Sequence, residues 1–153
     1  MGKDLKYFMR DQHDEIVTVP GPDTIKDENG NVIDLEIRVL SQAEIRKIND
    51  GYRRRSIATD KRGQPYVFNG EVAFKTERDN ERATRHIIAE ALVYPNLKDK
   101  ELMEYYHCED ITEMPLRVFS RADEYAHVSR VVLTALGIIS EPDDNSDVED
   151  AKN

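Results

Sequence analysis

The segment from Ala83 to Pro95 constrains the fold of this chain more than any other. Its apolar residues recur at spacings of three, four and one, which places them on one stripe of an α-helix; they are Ala83, Ile87, Ile88, Ala91 and Leu92. Pro95 ends the helix, because its ring disfavours a helical Tyr94 and it has no backbone N–H. The charged residues, which we expect on the water-facing side, are Arg78, Glu81, Arg82, Arg85 and Glu90.

Shorter helices follow this one. Asn96 and Asp99 are candidate caps for a second helix, and Leu102, Met103 and Tyr106 share one of its faces. A third apolar group runs from Ile111 to Phe119. The last helix is predicted over 121–136, capped near Ser120 or Asp123 and ended by Gly137; its expected buried residues are Ala122, Tyr125, Ala126, Val132, Leu133 and Leu136.

The N-terminal part shows the two-residue period of β-strands. Residues 15–19 form a short β-branched run, and 24–40 predicts a hairpin that turns at Asn29-Gly30. After that turn Ile33, Leu35, Ile37 and Val39 alternate with Asp34, Glu36 and Arg38, so one face is expected in the core and one in water. Residues 3–10 predict a short helix.

We therefore predict an α+β fold: a small N-terminal antiparallel hairpin sheet packed against a mainly α-helical body. Ser41 and Glu44 form a capping box that starts a helix ending near Gly51. A single domain is expected over 1–139, with a long mobile loop around 56–75. Residues 140–153 are polar and acidic, and we expect them to be disordered.

Composition limits the classes of function. The 153 residues carry a net charge of −9, which argues against non-specific binding to nucleic acid. Cys108 is the only cysteine, so no internal disulfide forms. No apolar run reaches the roughly 18 residues that span a membrane, and the N-terminus lacks the apolar core of a signal peptide. We expect a soluble protein of a reducing cytoplasm, with no membrane partner.

No pattern in the sequence predicts catalysis. His13, His86, His107 and His127 include no pair at the i, i+4 spacing of helical metal ligands. No nucleophile elbow, phosphate loop or dinucleotide fingerprint is present. Cys108 would act as a nucleophile only beside a base that the sequence does not identify. We predict a protein that is not an enzyme and has no cofactor, metal or catalytic residue.

Three groups of residues are candidates for partner binding. Arg53, Arg54 and Arg55, near Arg46, Lys47, Lys61 and Arg62, form the one basic concentration; it suits an acidic partner such as a neighbouring copy's tail, or nucleic acid, or is a solvated helix end. Tyr94, Tyr105 and Tyr106 either line a groove for a partner helix or belong to the core margin. Phe8 and Met9 are candidates for an apolar contact between copies.

Several segments together resemble the XkdN-like tail assembly chaperones of long-tailed bacteriophages. ALVYPNLKDKELMEYY at 91–106 is similar to the family's central segment, and PLRVFSRADEYAHVSRVV at 115–132 resembles its last helices. ENGNVIDLEIRVLSQAE at 28–44 resembles the family's hairpin, and DVEDAKN at 147–153 its acidic ending. The chain departs from the family near 56–75 and at His107, where glycine is frequent.

The resemblance implies a non-catalytic chaperone that binds and solubilises the tape measure protein during tail morphogenesis. It also implies homo-oligomers, as a ring or a helical array, that are absent from the mature virion. Two alternatives are a structural tail or baseplate component that stays in the virion, and an acidic regulator that binds a host protein.

Overall fold

The computed structural model describes residues 2–11 and 13–140. Their α-helices are α1 (Gln42–Asp50), α2 (Asn80–Ala91), α3 (Lys100–Tyr105), α4 (Met114–Val118) and α5 (Ala122–Ala135). Their strands are β1 (Ile16–Pro20), β2 (Asp34–Arg38), β3 (Arg53–Ile57), β4 (Val67–Phe68), β5 (Glu71–Val72), β6 (Phe74–Arg78) and β7 (Leu92–Tyr94). A one-turn 3-10 helix, Leu5–Phe8, precedes them.

The N-terminal sheet has the strand order β1-β2-β7, with both pairings antiparallel. Its central strand β2 buries Leu35 and Ile37, while Asp34 and Glu36 are exposed, so the predicted alternation is confirmed. The Asn29-Gly30 turn is also present, with Gly30 at a φ of 83°. Beyond the turn only an isolated bridge joins the two sides of the expected hairpin, and β2 pairs with β1 instead.

Helix α2 lies at the centre of the helical part and contacts α1, α4 and α5. Its predicted stripe is buried from Ala83 to Leu92, and Ile88 is fully buried. The stripe packs with β2 and with α5 in one cluster, whose fully buried side chains include Ile37, Ile88, Leu97, Met114, Phe119, Val128 and Val132. The core therefore joins the first sheet to the C-terminal helices.

Hydrogen bonds at the helix starts confirm the predicted caps at Ser41 and Asp99. The capping box at Ser41 is only half formed, because the carboxylate of Glu44 accepts from Arg38 and not from the N–H of Ser41. The hydroxyl of Ser41 accepts the N–H of Glu44 at 3.2 Å, and the carboxylate of Asp99 accepts the N–H of Leu102 at 3.1 Å. Each cap satisfies a backbone donor that the first turn of a helix leaves free. Helix α5 starts differently, because the carboxylate of Glu124 reaches back to the N–H of Arg121 at 3.0 Å.

The α+β class is confirmed, but the expectation of a mainly helical body is wrong. Two segments after α1 form strands instead of helix or loop. Residues 92–94 continue directly from α2 into β7, where Tyr94 pairs with Glu36 of β2. Residues 53–78 form a separate β-structure that contains β3, β4, β5 and β6. The pairings of β2 with β7 and of β3 with β6 join residues that are distant in sequence, so local periodicity did not reveal them.

The boundaries proposed for the domain stay predictions. The segment expected as a mobile loop, 56–75, contains antiparallel strand pairs. Of the predicted disordered tail, 140–153, everything after Ser140 lies outside the described residues.

Candidate partner-binding surface

Residues 53–78 form a β-structure that we call the arm. Its stem is the antiparallel pair of β3 and β6, in which Arg55 lies opposite Thr76. The stem begins beside the helices, where the N–H of Asp79 donates to the carbonyl of Tyr52 at 3.0 Å. Within the described residues, the core cluster takes side chains from before and after the arm but from none within it. The arm therefore contributes little to the packing of the domain.

Two tight turns form the far end of the arm. In the first, the carboxylate of Asp60 accepts the N–H groups of Arg62 and Gln64, and Gly63 adopts a φ of 80°. The second joins β4 to β5 through Asn69-Gly70, whose φ values of 52° and 79° are both positive. Two consecutive positive values define the type I′ turn, whose twist matches that of a hairpin. We call this second hairpin, residues 67–72, the tip.

The arm exposes an unusual number of large apolar side chains. Between 40% and 66% of the surface of each is accessible; they are Ile57, Tyr66, Val67, Phe68, Val72 and Phe74. Single exposed apolar residues are ordinary on protein surfaces, whereas a group of this kind on one projection is typical of an interaction site.

The arm is basic although the chain is acidic. It carries seven Lys and Arg against three Asp and Glu, a net charge of +4. Because the whole chain carries −9, the remaining residues carry −13. Arg55 lies over the ring of Phe74 at 4.2 Å from its centroid, so basic and apolar groups share one face of the stem. This combination suits a partner with apolar and acidic groups.

The three candidate arginines lie on the arm. Arg53, Arg54 and Arg55 are exposed residues of β3, so the interpretation of a solvated helix end does not hold for them, although Lys47 lies in the last turn of α1. Helix α1 ends at Asp50, whose carboxylate pairs with Arg53 at 3.4 Å. The other two arginines project from the strand beyond this pair.

The three candidate tyrosines occupy two elements. Tyr94 is half exposed at the end of β7, next to Pro95. Tyr105 is 75% exposed at the end of α3, whereas its neighbour Tyr106 packs partly against the core. The rings of Tyr105 and Tyr106 meet edge to face, with centroids 4.9 Å apart. Tyr106 thus supports the core margin, and Tyr94 and Tyr105 are available for contact.

The apolar N-terminal candidates are exposed. Phe8 and Met9, at the end of the 3-10 helix, are 82% and 74% accessible. Phe8 also lines a cleft with Val39 and Leu40, at the link between β2 and α1. Each of the three candidate groups therefore includes exposed side chains, but they belong to different elements.

Polar side chains on α2 connect this helix to the loop before α4. Arg82 forms an ion pair with Asp110, and Arg85 donates to the carbonyl of Thr112 at 2.8 Å. The hydroxyl of Thr112, followed by the guanidinium of Arg82, holds the pKa of Asp110 below its ordinary value. Arg82 is exposed, as expected, whereas Arg85 is half-buried, and both arginines hold the loop.

Two histidines have structural partners. Nδ1 of His86 lies 2.6 Å from the hydroxyl of Tyr52, and Nε2 of His127 lies 2.9 Å from the carbonyl oxygen of Pro20. Burial raises the pKa of the Tyr52 hydroxyl above its ordinary value. Among residues 2–11 and 13–140, no group of three or more His, Cys, Asp or Glu has the arrangement of a metal site.

The apolar residues of the arm are the part of the surface that sequence reasoning missed. Tyr66, Val67 and Phe68 were only expected to dock briefly within a loop. The signal for the tip was nevertheless present, because Asn69-Gly70 is the same dipeptide that predicted the turn at Asn29-Gly30. No helix of the described part of the chain is both long and apolar enough to span a membrane.

This chain belongs to the phage XkdN-like tail assembly chaperone family, whose family model matches residues 5–152. The resemblance seen in the separate segments therefore extends over almost the whole chain.

Two proteins of Bacillus subtilis strain 168 are similar to it along their length. YqbN is 32% identical, with 97% of this chain and 91% of YqbN aligned. XkdN of the phage-like element PBSX is 28% identical, with 98% and 94% aligned. The crystal structure of YqbN superposes with a TM-score of 0.65 at 26% identity, covering 90% of this chain and 98% of that one.

Proposed function

We propose that this chain is a non-catalytic chaperone that binds the tape measure protein during phage tail assembly and keeps it soluble. The family supplies the role in tail assembly. The observation that supports binding is the arm, which holds six large apolar side chains in water outside the core. Fully burying one such side chain contributes about 1.5–3 kcal/mol, so an apolar client would gain by covering several of them.

The tip is the part of the arm best suited to the client. Its four residues in strands, Val67, Phe68, Glu71 and Val72, are all exposed, and three of them are apolar. A long helical client presents an apolar stripe along one face, and the hairpin of the tip offers exposed side chains that fit against such a stripe. Many copies, each with a weak contact, would then cover the length of the client.

Co-expression with the tape measure protein tests this proposal. The wild-type chain should move the client into the soluble fraction, and the double variant Val67→Thr with Phe68→Ser should do so several-fold less well. The matched control is Ile16→Thr, which changes a residue of β1 that is 54% exposed and lies outside the arm. A client that stays insoluble with the wild-type chain would refute the proposal, and full activity of the double variant would refute the role of the tip.

The proposed chaperone acts in the host cytoplasm and leaves before the particle is finished. Mass spectrometry of purified particles separates it from a structural tail component. A chaperone should be absent or far below one copy per tail, whereas a fixed number of copies in each particle would support the structural alternative.

A further inference from the structure

The outer edge of β6 is open for strand pairing. Beside the stem, the N–H of Ala58 donates to the carbonyl of Ala73 at 2.9 Å, as the N–H of Asp79 does to Tyr52. In an antiparallel ladder the hydrogen-bonded residues alternate, so every second residue of β6 faces β3. The N–H and C=O groups of Phe74, Thr76 and Arg78 consequently point away from β3. Within the described chain, these three N–H groups donate to no other backbone group.

The sequence of β6 is complementary to itself. When two copies run antiparallel with Thr76 opposite Thr76, Lys75 of each lies opposite Glu77 of the other, and Phe74 lies opposite Arg78. In this register the outward N–H and C=O groups of Phe74, Thr76 and Arg78 in one copy face the same groups of the other copy. Three opposing residue pairs with two bonds each give six backbone hydrogen bonds. A register displaced by one residue would place groups that face β3 at the new interface, so the backbone and the side chains select the same alignment.

We propose that two copies of this chain associate through β6, joining their stems into a four-stranded antiparallel sheet in the order β3-β6-β6-β3. The contact is isologous, because the same strand serves on both sides, and it closes as a two-fold dimer. Among partners that could add a strand here, a second copy is favoured because β6 itself supplies the complementary charges.

The charges at the centre alternate in sign. Lys75 and Glu77 of one copy already pair at 2.8 Å on one face of the strand. The second copy would bring its Glu77 and Lys75 opposite them, at positions where side chains approach closely because the residues are not hydrogen-bonded. Each Lys75 then contacts two carboxylates, and each Glu77 contacts two ammonium groups.

The other edge of the stem does not offer this match. An antiparallel pairing of β3 with a second β3 about Arg55 would place Arg55 opposite Arg55, with Arg53 and Arg54 close by. Like charges directly opposite one another destabilise a sheet, and charged residues are a common protection of edge strands. The arginine run therefore disfavours pairing along β3, whereas the charges of β6 have both signs and can pair across a two-fold contact.

The resulting contact is small, so the dimer should be weak and sensitive to concentration. A five-residue strand spans roughly 17 Å, and an interface of that length lies at the low end of specific contacts. The dimer does not depend on the client, because it uses the stem and leaves both tips exposed. If the proposed chaperone function holds, the dimer would present two tips to one client.

Charge exchange at the centre of β6 tests the register. The full-length wild-type chain should show a monomer–dimer equilibrium in sedimentation equilibrium. Lys75→Glu leaves four carboxylates together and Glu77→Lys leaves four ammonium groups, so each should raise the dissociation constant about tenfold or more. The double variant Lys75→Glu with Glu77→Lys restores alternation and should return the constant to within about threefold of wild type.

Mixing the two single variants provides a sharper comparison. A copy with Lys75→Glu is complementary to a copy with Glu77→Lys, so the mixture should dimerise although each variant alone does not. This result also shows that both single variants are folded. Circular dichroism on each variant gives an independent check, because both side chains are about half exposed and their loss should not disturb the fold.

A cysteine at the two-fold centre tests the distance. Two copies of Thr76 opposite one another place their Cα atoms about 5.5 Å apart, which a disulfide spans. Thr76→Cys should therefore form a covalent dimer under mild oxidation. The control is Arg54→Cys, at an exposed position of β3. In the dimer this position lies three strand spacings of about 4.8 Å from its counterpart, so the variant should form no covalent dimer. The native Cys108 is buried, and oxidation of the wild-type chain measures how much covalent dimer this cysteine forms.

A wild-type chain that stays monomeric at every concentration would overturn the proposal. So would a dimer that survives both single charge changes, or one that the double variant fails to restore. Each of these outcomes leaves the client-binding proposal standing, since that is measured by the solubility of the tape measure protein.

Discussion

Single residues connect α2 to the rest of the domain through charge as well as packing. Asp110 illustrates this, because its carboxylate accepts the N–H and the hydroxyl of Thr112 at 2.9 and 2.7 Å and pairs with Arg82. These bonds favour the charged carboxylate and lower its pKa from the ordinary 3.8. Stability that depends on a lowered carboxyl pKa is present above the ordinary value and disappears as the pH falls through the folded-state value.

We expect Asp110→Asn to lower the free energy of unfolding at pH 7 by about 0.5–1 kcal/mol, a figure reduced for solvent screening because the site is partly exposed. The difference from wild type should shrink as the pH is lowered below about 4, where the wild-type carboxylate also becomes neutral. Urea unfolding at pH 7 and pH 3 measures both values. A difference that stays constant between these pH values would contradict the role of the charge.

At the scale of elements, α2 has one apolar side and one charged side whose residues form ion pairs with other parts of the domain. Glu90 was expected on a wet face, but its carboxylate pairs with Lys98 at 3.0 Å and with Arg38 at 3.8 Å. On β2, by contrast, Glu36 is exposed, and no ion pair of the described residues includes it.

Three substitutions separate these environments. Ile87→Asp should cost more than about 4 kcal/mol of unfolding free energy, because it buries an unpaired charge in the core. Glu90→Lys should cost about 1–2 kcal/mol, since it places a third cation beside Lys98 and Arg38. Glu36→Lys should change stability by no more than about 0.5 kcal/mol. Chemical denaturation of the three variants tests this order, and equal costs for the two lysine variants would contradict it.

At the scale of the whole molecule, the arm is a separable projection on a domain whose core does not use it. The stem leaves the domain where the N–H of Asp79 donates to the carbonyl of Tyr52, so a short turn could join these two residues directly. Because the arm lies outside the core, it can carry binding residues without weakening the packing of the domain.

Replacing the arm, residues 53–78, by a two-residue Asn-Gly turn between Tyr52 and Asp79 should therefore leave the domain folded. We expect the thermal midpoint to fall by no more than a few degrees, which corresponds to about 1 kcal/mol for a domain of this size. Calorimetry measures the midpoint, and sedimentation on the same sample should show that the dimer is lost. Unfolding of the shortened chain at room temperature would show that the arm is part of the cooperative domain.

The sequence alone determined the features that depend on near neighbours along the chain. The stripe of α2, the alternation at Leu35 and Ile37, and the caps at Ser41 and Asp99 all follow from spacings of two to four residues. Gly137 likewise adopts the expected positive φ, at 76°. The arginines of the candidate surface were found in the same way, because they are consecutive.

Only the tertiary structure decided which distant groups meet. Helix α5 was expected to bury Ala122 and Ala126, which are exposed, whereas Val128 and Glu124 are buried. Glu124 is inside because Thr24, one hundred residues away, donates to its carboxylate. Similarly, β6 became a strand because β3 supplied a partner across the arm. Hydrogen bonds between such segments cost loop-closure entropy and depend on the whole fold, so no local pattern records them.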